Sequence, residues 1–498
     1  MSLGAALAIA GSGIANIDAR LAVVSQNIAN ASTPGYSAEV VGQISQTAAG
    51  RGDGVRTLPA TRTTDAVLQA QGLQQAALVA ELSTRQSALQ SIDQVQGTPG
   101  QGTDLGSLLG ALGDRFSTLL NQPENQTAQH AVVGAASTLA SAINTRSDAY
   151  TTQRAAAQTG LVANAATANQ ALRQIGSLSD RIMTQKAAQQ STADLENQRD
   201  AAVNTLSALL RIRTLESPAG DMMVITPSGL ALPTRAADGP FAVANAAVSP
   251  QSASLPGVML SGQDVTGQVQ GGEMGANLAL RDTTLPTYQA ELDEFSQTLA
   301  TRFDAQGLTL FTDPTGALPA SGGVPVQAGY AGFAAVIQVN PAVSANASLV
   351  RDGTPTVAGT FTPNPPGGPA GFSDLIGRVL SFAMGSEAQT GVPQPAPNTT
   401  GLGPNGTLQA PFGPPAALSD FASALVGSQA QDSAAIAAET KTEQAVQASL
   451  TAKLSAATGV SRDQEMGTVV ALQNAYGVNA KIISAVQSMW NQLLATVQ

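Results

Sequence analysis

Apolar residues recur at alternating steps of three and four at both ends of the chain. Near the C-terminus they fall at Val469, Leu472, Tyr476, Ile483, Val486, Trp490, Leu493 and Val497, with Asn479 in the one slot left polar. Near the N-terminus they fall at Leu3, Leu7, Ala10, Ile14, Ile17, Leu21, Val24 and Ile28. This spacing predicts a heptad seam along one face of each helix. Matching seams at opposite ends of a 498-residue chain predict one terminal coiled-coil module, 1–50 with 457–498, from which the rest loops out.

Between the ends the helical period dominates. The first helix, 2–30, stops in Ser32-Thr33-Pro34-Gly35, because Pro34 disfavours helix at Thr33 and Gly35 can take a positive φ. Tyr36 then starts an extended segment with Val40 and Val41. Helices are predicted over 62–96, 104–121 and 125–188, separated by Gly- and Pro-containing breaks. Asp194–Asp200, DLENQRD, opens a further helix with Leu195, Val203, Leu206 and Leu210.

At about 211 the texture changes to short runs of Val, Thr, Met and Gly, read as strands and hairpins to 274. Leu285, Tyr288, Leu292, Phe295, Leu299 and Phe303 restore the helical period over 276–306. Residues 308–415 are rich in Pro and Gly, with a strand leading into a turn at 336–349 and a short helix at 372–384. A helix resumes at 418–456, and Ser461 with Gln464 has capping-box spacing that starts the last one.

The predicted fold class is mainly α with β-rich insertions. Around the terminal module sit an elongated helical bundle (51–210, 275–307 and 416–456), a β-rich segment (211–274) and a loop-rich outer insertion (308–415). At roughly 150 residues per domain, the length suits about three domains.

Composition narrows the function. Charged residues make up 11% of the chain, against about 25% in ordinary globular proteins. The net charge is −11 with no cationic cluster, which disfavours nucleic acid and anionic membrane surfaces as partners. The chain has no cysteine and one histidine, His130, read as a solvent-facing helix residue. No metal site, cofactor or nucleophile–base set is predicted, and no enzymatic activity. Asp463 and Glu465 are read as first-turn carboxylates favoured by the helix dipole. Arg51-Gly52-Asp53 is too short a match to an adhesion motif to carry a role. No Lys or Arg precedes Arg20, so LGAALAIAGSGIA predicts no cleaved signal peptide. With no uninterrupted apolar run of about 18 residues, no membrane span is predicted.

Two strings carry a family resemblance. SQNIANASTPGYS resembles the N-terminal signature of bacterial flagellar axial proteins, the rod, hook and hook-associated subunits. The match lies at Asn27, Ile28, Ala29, Asn30, Thr33, Pro34, Gly35 and Tyr36. GVSRDQEM followed by LQNAYGVNAKIIS is similar to the closing signature, at Gly459, Val460, Asp463, Glu465, Gln473, Ala475, Tyr476, Ala480, Lys481, Ile483 and Ser484. DLENQRDAAVNTLS, GEMGANLALRDTTLP and VIQVNPAVSANASL are most similar to the hook-associated members.

The resemblance implies a structural subunit outside the cell at the hook–filament junction, exported through the flagellar type III channel without a cleaved signal. It implies self-assembly into a ring or tube through the terminal helices. The partners implied are hook protein on one side, a second junction protein (FlgL) on the other, and an export chaperone for the C-terminal helix. A hook or distal-rod subunit is the alternative within the family. A secreted protein with an enzymatic insertion at 308–415 is the alternative of another class. Because the terminal helices expose few charges and share little core, they are expected to gain order on docking with neighbouring subunits.

Overall fold

The computed structural model describes residues 2–48, 51–97, 101–236, 239–320, 322–355 and 361–496. Helix α1, Leu3–Asn30, starts where the Ser2 hydroxyl accepts the Ala5 N–H. It ends at the Thr33–Gly35 turn, with Gly35 at φ +78°. β1 (Glu39–Ala48) and β2 (Arg51–Arg62) then pair antiparallel, from Glu39 opposite Arg62 to Ala48 opposite Arg51, and lie along α1. The ribbon is longer than the extended segment predicted after Tyr36, and it runs across the division drawn at 50/51. Two register shifts, between Val41 and Gln43 and between Gln46 and Thr47, blur the alternation that marks a strand.

Four long helices follow, three of them with side-chain caps. α2, Ala66–Gln96, is capped by Asp65; α3, Leu105–Asn121, by Asp104; α4, Gln126–Ala187, by Asn125. α5 is Ala193–Leu209. At about 1.5 Å per residue, the 62 residues of α4 reach about 93 Å, so one helix serves two cores.

Short strands β3 (Arg213–Glu216), β4 (Met222–Ile225) and β5 (Ala231–Leu232) form one antiparallel sheet. β6 (Phe241–Val243), β7 (Val258–Leu260) and β8 (Gln263–Asp264) form a second. Val224, Phe241 and Val258 pack with Leu161, Leu172, Leu206 and Met274, so these sheets roof α4 and α5.

α6 (Gly272–Ala279) runs through a π turn at Leu280–Thr284 into α7 (Leu285–Ala305). Pro286 has no N–H and its ring crowds the preceding turn, which the wider turn relieves. Gly272 has φ +62°, and a Cβ there would lie 2.4 Å from the Leu209 carbonyl carbon, so only glycine lets α6 start against the end of α5.

The outer segment folds as small pieces around α7. β9 (Phe311–Thr312) pairs with β10 (Gln338–Val339). Asn340 then caps α8, Pro341–Ala345, so the predicted turn at 336–349 becomes a short helix. α9 (Leu349–Asp352), α10 (Asp374–Arg378) and two hairpins complete it: β11 (Glu387–Gln389) with β12 (Val392–Pro393), and β13 (Thr400–Leu402) with β14 (Leu408–Gln409). α11 is Leu418–Thr458. α12 is Arg462–Ala495, capped by Ser461 as its spacing predicts.

The main core joins α3, α4, α7 and α11 through Leu112, Phe116, Ile143, Phe295, Phe303 and Phe421, and extends outward to Phe311, Ile337, Leu375 and Val379. α7 also takes carboxylates inside. Asp293 accepts the N–H groups of Gly332 and Ala334, and Glu294 accepts the Tyr330 hydroxyl at 2.6 Å. These bonds fasten the outer segment to the bundle. Glu291 is buried beside Gln429, and burial pushes its carboxyl up to about 8.

α1 is long and apolar enough to cross a bilayer by length and composition. This corrects the expectation from uninterrupted runs: its few polar residues interrupt the run without lowering the average much. In the fold one face of α1 packs on the hairpin and another on α12.

Candidate assembly site at the joined termini

α1 and α12 pack antiparallel: Asn27 meets Glu465, and Gly13 meets Asn479. Ile17, Val24 and Leu472 form a small core, with Leu21, Ile28, Val469 and Ala475 packed against it. Val486 and Ala10 are also buried. Leu3, Ile14 and Ile483 are half-buried, and Leu7 is exposed. Ala475, not Tyr476, takes the inward place, leaving Tyr476 43% exposed. Trp490 and Leu493, each 55% exposed, extend past the start of α1, so α1 has nothing to set against them. Val497 lies outside the described residues. Beside the seam, Val478, Ile482 and Met489 form a second exposed apolar stripe.

On its other side α1 holds the hairpin through polar groups. The Ser12 hydroxyl accepts the Val55 N–H at 3.1 Å, and Asn16 Nδ2 donates to Thr57 Oγ1 at 3.1 Å. Buried Asn16 thus has a partner for its amide nitrogen.

The N-terminal motif closes a knot. Asn27 Nδ2 donates to the Glu39 carbonyl at 2.9 Å and to Glu465 Oε1 at 2.8 Å. Asn27 Oδ1 accepts the Tyr36 hydroxyl at 3.1 Å and the Glu39 N–H at 3.0 Å. One buried amide thus joins α1, the turn, β1 and α12. The turn is set by the Thr33 N–H donating to the Asn30 carbonyl at 2.8 Å, and by Tyr36 N–H to Thr33 at 3.2 Å. Pro34 and Gly35 are exposed and shape the bend. The Ala38 N–H reaches the Thr458 carbonyl at the end of α11 at 2.7 Å, and Arg462 at the start of α12 donates to the Ser32 hydroxyl, so the turn is tied to both of these helix ends. Burial raises the Tyr36 hydroxyl, with the neighbouring Glu39 carboxylate adding to it; burial likewise raises Glu39.

Glu465 therefore does more than complement a helix dipole. Its partner is 438 residues away, so no local pattern signals the bond. Of the C-terminal motif, Gln473 and Lys481 are exposed and Ala480 is half-buried. None of the three forms hydrogen bonds in the knot.

DLENQRD ties this module to the bundle. Asn197 Nδ2 donates to the Ser37 carbonyl and Glu39 Oε1, and Asn197 Oδ1 accepts the Ser37 N–H. Arg62, at the end of β2, is buried with Nε 3.0 Å from Glu196 and Nη1 2.6 Å from Asp200. Burial works against the charged Arg62, and the two carboxylates outweigh it, leaving its guanidinium raised. Arg199 is fully buried and donates to the Gly220 carbonyl at 2.7 Å, anchoring β3–β4 to α5.

The chain ends are thus joined in one helix pair and hairpin beside a long helical bundle. The family model described as flagella basal body rod protein matches residues 7–36. The one described as flagellar hook-associated protein FlgK helical domain matches 89–317. Over these residues the chain is similar to flagellar rod and hook-associated proteins. A solved structure of the flagellar hook junction protein FlgK from Burkholderia pseudomallei is similar at 24% identity, with a TM-score of 0.40. That match covers 52% of this chain and 46% of the other, so it spans less than half of that protein. No curated protein matches the chain.

Proposed function

We propose that the chain is a structural adaptor between the hook and the filament of the bacterial flagellum. Copies join into a ring or tube through α1 and α12, with hook protein on one side and the second junction protein, FlgL, on the other. The subunit reaches the outside of the cell by flagellar export without a cleaved signal, and a chaperone covers α12 beforehand. The residues that join subunits are the seam positions together with the stripe of Val478, Ile482 and Met489. The hairpin 39–62 belongs with the terminal module, 211–274 with the bundle, and 308–415 faces outward.

The observation that carries this reading is the uncovered apolar surface of α12. An exposed apolar patch of this kind marks an interaction surface, and the pair has too small a core to bury it alone. Electron microscopy of a deletion strain tests the reading. Hooks without filaments support the junction role; missing hooks support a hook or distal-rod subunit instead. An enzymatic insertion at 308–415 finds no support in its small hairpins and short helices packed on α7. Hydrolysis of peptidoglycan by the full chain is the result that revives it.

A further inference from the structure

The seam between α1 and α12 has polar contacts at two places, and their spacing is the same on both helices. Asn27 bonds Glu465 at one, and Asn479 lies against Gly13 at the other. From 13 to 27 and from 465 to 479 is 14 residues, two heptads, or about 21 Å of helix. A Cβ added at Gly13 would stand 3.1 Å from Asn479 Oδ1 and 3.4 Å from its Cγ, so the amide occupies the space a side chain there would need. Asn479 Nδ2 donates to the Ala475 carbonyl at 3.0 Å, which holds the side chain over the notch.

We infer that Asn479, seated on Gly13, is a register-determining contact of the terminal helix pair. A seam of Ile, Leu, Val and Ala looks much the same after a shift of one heptad, so apolar packing alone discriminates poorly. A polar residue at one inner position supplies that discrimination at some cost in stability. A shift of seven residues sets Asn479 against Arg20 or Ala6 and presses Val486 or Leu472 onto Gly13. It also separates Asn27 from Glu465. The two contacts act together, one at the hairpin end and one toward the free end. Register matters because the stripe on α12 and the outer face of α1 form a single joining surface only in one alignment; this consequence rests on the assembly role proposed above.

The test uses the isolated full-length subunit, so its outcome is independent of whether the deletion strain supports the junction role. The chain has no cysteine, so paired substitutions report alignment by disulfide cross-linking. Ile17→Cys with Ala475→Cys reports the observed register, since both pack in the same small core. Ile17→Cys with Ile482→Cys, and with Thr468→Cys, report shifts of one heptad either way. The observed register should cross-link at least ten times faster than either shifted pair. Asn27→Ala should raise the shifted cross-links modestly. Adding Asn479→Leu, or independently Gly13→Leu, should raise them a further fivefold or more, with unchanged melting of the bundle. If neither addition changes the pattern set by Asn27→Ala, Asn479 is not a register contact. Loss of cross-linking in all three pairs after Asn479→Leu also overturns the proposal, because an apolar residue there should tighten an unregistered seam.

Discussion

Asn27 and Glu465 are 438 residues apart in the chain and 2.8 Å apart in the fold, Nδ2 to Oε1. The same Asn27 side chain also holds the Tyr36 hydroxyl and both backbone groups of Glu39. Asn27→Ala leaves several buried groups without partners, each costing about 1–3 kcal/mol. The expected loss is about 2–4 kcal/mol of terminal-pair stability. Hydrogen exchange should show α1 and α12 opening sooner, with the α4 and α7 amides unchanged.

Arg62 is set between Glu196 and Asp200, and Lys186 Nζ lies 3.6 Å from the other oxygen of Glu196. Removing one partner of a buried ion pair typically costs about 3–5 kcal/mol, because the remaining charges stay buried. Arg62→Ala should therefore free the terminal module from α5. Limited proteolysis should cut near 38–66 well before the bundle, and protection of that segment equal to wild type would count against the link.

Trp490 is the single tryptophan and more than half exposed in the isolated subunit. Its emission should be red-shifted and readily quenched by iodide in solution. On assembly it should shift to the blue and lose quenching. Leu21→Asp or Ile483→Asp should abolish that shift while leaving bundle melting within about 0.5 kcal/mol of wild type.

Burial raises Glu291 from 4.5 to about 8, so the folded state favours its neutral form. The stability this provides is complete below the unfolded value and is lost as pH rises through about 8. Chemical denaturation should show stability falling between pH 5 and pH 8.5. Glu291→Gln should flatten that slope and be the more stable variant at pH 8.5. An unchanged slope would place the titration elsewhere.

The long elements were legible because their signals are local. Seam spacing marks α1 and α12, Gly and Pro breaks bound α2, α3 and α4, and Ser461 marks the start of α12. The pairing of the termini was also readable, since two charge-poor helices need cover. The knot was not. Asn27 is an ordinary motif asparagine until Glu39 and Glu465 arrive from 12 and 438 residues away. Only the start of the hairpin, the extended segment after Tyr36, was legible, because two register shifts break the period-two pattern further on. The π turn could have been suspected from Pro286, which sits inside an otherwise continuous helical period. Tyr476 was placed on the seam by spacing alone; Ala475 fits closer against α1, and the larger ring turns outward.

The knot has a bearing on quality control. Its strands come from positions 27 and 465, so a chain cut short anywhere before Glu465 cannot close it. Such a fragment can still fold much of its middle, with α3 and α4 intact, yet it lacks the paired surface through which, on the role proposed above, a subunit joins its neighbours. On that role, fastening the two ends to each other makes the presence of both a condition of incorporation, and copies lacking one are left out without any separate inspection.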